Sequence, residues 1–233
     1  ISDFQLVSYI LGRCATVDEV KAEIARVHIH GFDPRSSTVH WRFAEPSGRQ
    51  IVLEIIDGKC IFYENSLGVL TNSPSFDWQL TNLNNYVNLL PGRTEPHTIG
   101  NMSLSSFGGG SAMIGLPGDF TPPSRFVRAA FFQNTAPQKP DAEGSVFTAF
   151  HILGSMEIPI GAQFPVDETP ADIPSATQCT CVTDMSGLKF YYRSMYDGGI
   201  RCIDLKEIDF KKIGLKSEPL VPSKKEFVHH IRF

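Results

Sequence analysis

Two side chains combine a chemically useful type with a useful place in the chain. Asn72 ends the apolar stretch Val69-Leu70-Thr71 and is followed by Ser73-Pro74, so its amide emerges where an extended segment gives way to a turn. An amide fixed there could donate to a developing oxyanion, a contact whose loss costs on the order of 3 kcal/mol of transition-state stabilisation. Asn is also a common turn former that satisfies local backbone, and spacing alone favours that plainer role. Arg125 follows Gly118-Asp119-Phe120-Thr121-Pro122-Pro123-Ser124, where Ser124 is expected to cap a helix with Arg125 in its first turn. A helix N-terminus already carries partial positive charge. A cation there needs another reason: an ion pair with Asp119, a substrate, or a thiolate nearby. Arg128, one turn later, reads as an ordinary helix-surface residue.

Other reactive side chains are less organised. His28, His30 and His40 invite a zinc hypothesis, but no carboxylate or further His follows at metal-ligand spacing, so packed or hydrogen-bonded histidines are expected and no metal or cofactor. A Ser-His-Asp triad can be neither built nor excluded from residue order, and there is no Gly-x-Ser-x-Gly elbow. The five cysteines, Cys14, Cys60, Cys179, Cys181 and Cys202, are odd in number and follow no disulfide framework. Cys179 and Cys181 would share one face of a strand. With no second Cys/His pair at zinc spacing, adjacent structural thiols are the expectation over a redox or metal pair. Gly108-Gly109-Gly110 lacks the Lys-Ser/Thr and the strand-to-helix setting of a phosphate cradle, and reads as loop.

The elements that must position these residues follow from periodicity. Helical spacing runs from Phe4 to Leu11, and Thr16-Val17-Asp18-Glu19 is a capping box that opens a second helix to about Val27. Val39 to Ala44, Ile51 to Ile56, Cys60 to Tyr63 and Gly68 to Thr71, parted by turn residues, predict an antiparallel meander. A helix from Phe76 to Leu89, a Gly/Pro/Ser-rich loop from Pro91 to Pro123, and helices over Ser124–Phe132 and Glu143–Leu153 come next. Late strands follow over Gln178–Thr183, Leu188–Tyr192 and Ile200–Asp204. Hairpins with few βαβ units favour an α+β fold with stacked antiparallel sheets. The polar tail after Lys211, with Pro219 and Pro222, is expected to wrap the surface or a neighbouring subunit.

Composition bounds the function classes. A chain of 233 residues with 42% hydrophobic and 20% charged residues can form one large globular domain. The net charge of −4 comes from interspersed acids and bases, which argues against nucleic acid or an anionic membrane as partner. No apolar run approaches the roughly 20 residues of a membrane span. The chain starts without Met and in mid-pattern, and the favoured expectation is an upstream segment.

Two long runs then carry a resemblance. Gly68-Val69-Leu70-Thr71-Asn72-Ser73-Pro74-Ser75-Phe76-Asp77-Trp78-Gln79-Leu80-Thr81-Asn82-Leu83-Asn84-Asn85-Tyr86 resembles a signature of the choloylglycine hydrolase family, the bile salt hydrolases and penicillin V acylases. So does Gly115-Leu116-Pro117-Gly118-Asp119-Phe120-Thr121-Pro122-Pro123-Ser124-Arg125-Phe126-Val127-Arg128-Ala129-Ala130-Phe131. Weaker similarity at Ile10-Leu11-Gly12-Arg13-Cys14, His40-Trp41 and Tyr191-Tyr192-Arg193 extends it over nearly the whole chain.

The resemblance implies an N-terminal-nucleophile hydrolase with a four-layer αββα sandwich, of which residues 1–233 form the C-terminal, larger part of a single domain. It implies hydrolysis of a linear amide, with conjugated bile salts, penicillin V and N-acyl homoserine lactones as candidates, through a cysteine whose own α-amino group is the base. Asn72 matches the oxyanion-hole side chain and Arg125 the arginine beside the nucleophile. The family's nucleophilic Cys, a nearby Arg and Asp and a second Asn all lie upstream of the region that Ile1 matches. The chain alone is therefore expected to be inactive, its partner being a segment that carries the cysteine. The acyl pocket is expected near Gly31-Phe32-Asp33-Pro34-Arg35 and the stretch from Phe107 to Met113, with Phe32 and Phe107 as substrate-binding residues. A homotetramer is implied, and Thr121-Pro122-Pro123 is similar to the branch in which a periplasmic location is favoured over a cytoplasmic one. The competing reading is a non-catalytic fragment or homologue that binds an acyl ligand.

Overall fold

The structure, a computed structural model, describes residues 1–32, 39–168, 175–221, 224–225, 227–228 and 230–231. It forms two compact units, Ile1–Thr135 and Ala136–Phe233.

In the first unit, helix α1 spans Asp3–Leu11 and α2 spans Val17–Ile24. The Thr16–Glu19 box forms as expected: the Thr16 hydroxyl accepts from the Glu19 amide, and the Glu19 carboxylate accepts from Thr16 and Ala15. These contacts satisfy amide groups that a helix start otherwise leaves open. The helix stops three residues short of the predicted Val27. Strands β1 (Trp41–Ala44), β2 (Gln50–Ile56) and β3 (Lys59–Glu64) pair antiparallel in chain order. Asp57 and Gly58 join β2 to β3 with positive φ at both positions, 49° and 74°, as a tight hairpin demands.

The central strand β2 is covered on both faces. Ile51 and Leu53 pack with Leu6 and Ile10 of α1 and Val17, Val20 and Ile24 of α2. On the opposite face Val52 packs with Val69, Phe76, Phe126 and Ala130. Alternation along the strand places Glu54 on this second face. Phe76 opens α3 (Phe76–Asn82), which tightens into a 3₁₀ turn over Leu83–Tyr86. The predicted helix to Leu89 is therefore shortened, and Val87 and Leu90 stand exposed. Phe126 and Ala130 belong to α4, Pro122–Thr135.

Gly68 to Thr71 is not a strand: the buried Asn65 amide donates to the Val69 carbonyl and its oxygen accepts the Gly68 amide, so this backbone bonds to a side chain rather than to a sheet neighbour. Gly68 sits at φ 74° beneath the Gln133 side chain, where a Cβ would collide. The stretch read as one long loop contains a hairpin, β4 (His97–Ile99) with β5 (Met102–Leu104), turned at Gly100.

The second unit pairs α5 (Ala142–Gly154) with an antiparallel sheet of β6 (Cys179–Asp184), β7 (Lys189–Ser194) and β8 (Asp197–Asp204). Asp141 caps α5 by accepting the Gly144 amide at 2.6 Å. Val146 and Phe150 of α5 pack on Tyr191, with Val182 and Ile200 around them. Cys179 and Cys181 are exposed, alternate residues of edge strand β6. The tail returns to this unit where the Phe227 amide meets the Tyr196 carbonyl at 2.9 Å, whereas Pro222 lies outside the described residues. All the ladders described are antiparallel, as an α+β fold requires. Among the described residues no helix is long and apolar enough to cross a membrane.

Candidate active site

The two residues singled out for chemistry, 53 positions apart, meet. Arg125 Nη2 donates to Asn72 Oδ1 at 2.7 Å, and Arg125 Nε donates to the Phe120 carbonyl at 3.0 Å. A guanidinium can only donate, so the Asn72 amide is turned with its oxygen toward Arg125 and its NH2 away. Among the described residues nothing accepts from that NH2. The backbone of Asn72 is tied separately: Gln79 Nε2 reaches its carbonyl at 3.4 Å, and the preceding Thr71 hydroxyl donates to the Pro122 carbonyl at 3.0 Å. The result is an exposed amide donor with its other end fixed.

Arg125 has no carboxylate partner among the described residues. Burial, and then the neighbouring Arg128 charge, lower its pKa from the ordinary value, yet an arginine stays protonated throughout the working pH range. Of the three reasons open for a cation there, the ion pair with Asp119 does not form, because that carboxylate is already used. It accepts the Thr121 amide at 2.9 Å and the Thr121 and Ser124 hydroxyls at 2.5 and 2.6 Å. Nor is Ser124 the cap: α4 starts at Pro122, since two prolines fit a first turn whose amides would be unpaired in any case. The uncompensated guanidinium and the free amide are together suited to an anion or a developing negative charge.

Arg128 also departs from its expected place on the helix surface. It is buried, not a surface residue: Nη1 donates to the carbonyls of Pro117 and Asp119 at 2.8 and 2.6 Å, and the guanidinium lies over the Phe120 ring. The Arg125 and Arg128 side chains thus grip the loop 117–120 from one helix.

The three hydrogen bonds to Asp119 hold its carboxyl well below the usual range, at about 2. A depressed carboxylate contributes stability above its unfolded value, about 3.9, and that contribution disappears as pH falls from there through the folded value. The gap in melting temperature between the parent and Asp119→Asn is therefore expected to be constant near neutrality and to close on acidification through this window. A gap unchanged down to the folded value would show that the carboxylate charge has no part in holding the start of α4.

His40 and Glu54 were not foreseen as a pair. His40 Nδ1 lies 3.1 Å from Glu54 Oε1, and His40 Nε2 faces the Thr71 carbonyl. The same Glu54 oxygen accepts the Phe76 amide at 2.8 Å. A carboxylate on a strand otherwise reading Ile-Val-Leu-Glu-Ile-Ile was the available signal, because a charge amid apolar residues of a two-faced strand must find a partner. His28 and His30 lie apart from this pair; His30 Nδ1 faces the Ile1 carbonyl at 3.1 Å.

Phe32 and Phe107, the residues expected to bind substrate, make no hydrogen bond with Asn72 or Arg125 among the described residues. Phe32 packs edge-on against Phe4 of α1, ring centres 5.8 Å apart, and both rings are exposed. Phe107 is fully exposed after β5. The remainder of the loop expected to shape the acyl pocket, residues 33–35, lies outside the described residues.

Residues 1–218 match the family model of the linear amide C–N hydrolases, choloylglycine hydrolase family. The bile salt hydrolase/transferase of Clostridium perfringens is 34% identical over 209 residues, covering 88% of this chain and 62% of that protein. The chain therefore spans less than two thirds of that relative's length. The penicillin V acylase of Pectobacterium atrosepticum is 30% identical over 228 residues, 88% of this chain and 53% of that protein. A crystal structure of a mutant conjugated bile acid hydrolase from Clostridium perfringens superposes with a TM-score of 0.84 at 30% identity, over all of this chain and 70% of that one.

Proposed function

This chain belongs to the choloylglycine hydrolase family of linear amide C–N hydrolases, and on that premise we propose that Asn72 and Arg125 form the electrostatic part of an amide-hydrolysing centre. The nucleophile of that centre is a cysteine outside residues 1–233. The observation that carries the reading is the 2.7 Å bond from Arg125 to Asn72 Oδ1, which leaves Asn72 Nδ2 as an oriented donor beside an unpaired cation.

In the reaction so proposed, the cysteine thiolate attacks the amide carbonyl carbon. The carbonyl oxygen takes the negative charge and accepts a hydrogen bond from Asn72 Nδ2. Arg125 lowers the energy of both the thiolate and the oxyanion through its charge. Collapse of the intermediate expels the amine, which leaves with the proton that the α-amino group took from the thiol. Water then cleaves the thioester and regenerates the cysteine. None of Cys14, Cys60, Cys179, Cys181 and Cys202 can serve in this way, because each lies inside the chain, where its own α-nitrogen is an amide and not a free amine. Residues 1–233 alone are inactive on this reading. On the same reading they are the larger part of the hydrolase domain, its assembly is a homotetramer, and the bacterial periplasm is favoured over the cytoplasm as its location.

The substrates are acyl amides of the kinds named by the relatives, conjugated bile salts and penicillin V. The test is amine release from a glycine-conjugated bile salt and from penicillin V by enzyme that includes the cysteine segment. Turnover of at least one is expected, and exchange of the loop around Phe107 should shift the preference between them. Absence of release from both would reject the assignment.

A further inference from the structure

Asn72 sits in a four-residue turn, Asn72-Ser73-Pro74-Ser75, whose two ends are the Thr71 carbonyl and the Phe76 amide. One chain of side-chain contacts spans that opening. His40 Nε2 meets the Thr71 carbonyl, His40 Nδ1 meets Glu54 Oε1 at 3.1 Å, and the same Glu54 oxygen takes the Phe76 amide at 2.8 Å. We infer that His40 and Glu54 are positioning residues that close the mouth of this turn and fix the direction of the Asn72 donor. The inference rests on the role proposed for Asn72 above.

Three observations support it. The clamp is anchored in the sheet: Glu54 stands on the central strand, and the Trp41–Leu53 pairing sets His40 beside it. Both side chains are nearly sealed, at 12% and 6% exposure, so neither contact is diluted by water. Glu54 Oε2 is buried without a hydrogen-bond partner among the described residues, so the carboxylate is oriented only by His40 and the Phe76 amide. A buried polar pair of this kind adds little stability over an apolar pair of equal volume. What it supplies is direction: an apolar pair would fill the space but could hold neither Thr71 nor Phe76.

Glutamine and asparagine separate the two arms. His40→Gln keeps a nitrogen at the Thr71 end, and His40→Asn keeps one at the Glu54 end. The first measurement is the order parameter of the Asn72 side-chain amide by nitrogen-15 relaxation on the full chain, with amides of β6–β8 as the folded reference. In the parent it is expected in the rigid range, about 0.85, and in His40→Ala below about 0.6. Each half-variant should fall between the two while the reference amides stay unchanged.

A second measurement uses enzyme that turns over. His40→Ala is expected to lower kcat about tenfold, the equivalent of one unsatisfied buried group, at unchanged KM, with partial recovery in His40→Gln. An Asn72 amide as rigid in the folded variants as in the parent, or a loss confined to KM, would overturn the inference. Should His40→Ala fail to fold, the half-variants decide by the same criterion. If no preparation hydrolyses an acyl amide, the proposed function falls, and the relaxation result still decides whether the clamp holds Asn72.

Discussion

Replacing Asn72 with alanine in the hydrolytic enzyme is expected to lower kcat by about 10²- to 10³-fold, the usual effect of deleting one oxyanion-hole donor, and to leave KM nearly unchanged. The reasoning is differential: the amide donates little to a neutral carbonyl and strongly to an alkoxide, so its loss falls on the transition state. Asn72→Asp sharpens the test, because a carboxylate keeps a partner for Arg125 Nη2 but has no hydrogen to donate. A comparable loss in both variants would assign the effect to Nδ2. Full activity in Asn72→Asp would show that the residue serves only to hold Arg125. The same kinetics measured for Asn72→Ala at several ionic strengths should be parallel to the parent, since a short directed hydrogen bond is screened far less than a remote charge.

The second large effect concerns the helix that delivers the arginine. Phe126 is fully buried beside Arg125, edge-on to Phe76 with ring centres 6.1 Å apart, and both rings pack on Val52 and Val69. Phe126→Ala removes the contact that binds the start of α4 to the start of α3, and a cost of about 3–5 kcal/mol is expected for such a truncation. Urea unfolding should show a lower midpoint with an unchanged slope. A cost near 1 kcal/mol would mean that α4 relaxes into the space, and Arg125 would then be expected to lose its bond to Asn72.

How far all of this could be read in the residues depended on the range of the interaction. Local rules worked where a contact lies within one turn: Thr16 and Glu19 cap α2 as their three-residue spacing requires, and Asp57-Gly58 makes the hairpin. The same rules failed wherever a side chain replaced a backbone partner. Gly68 to Thr71 has the composition of a strand, but Asn65, only a few residues upstream, takes its hydrogen bonds. Arg128 has the spacing of a surface residue, and only the loop 117–120 folding back over α4 makes it a buried one.

The site divides in the same way. Asn72 and Arg125 were recognisable one by one, from a turn and from a cation at a helix start, and their motifs resemble those of the family. That they touch across 53 residues is not encoded in either motif. Asp119, a partner that the sequence left open for Arg125, is taken instead by two hydroxyls and an amide that lie nearer to it in the chain. The His40–Glu54 pair required knowing the register of β1 on β2, which alternation constrains but does not set.

The proposed function divides the labour: residues 1–233 would orient and stabilise, and a cysteine outside them would form the acyl-enzyme. Rapid acid quenching during turnover of penicillin V, followed by peptide mass mapping, reads this directly. The account predicts the acyl adduct on an N-terminal cysteine of a peptide absent from residues 1–233, with every peptide of this chain unmodified. An adduct on Cys14, Cys60, Cys179, Cys181 or Cys202, or turnover by a preparation containing only residues 1–233, would contradict it.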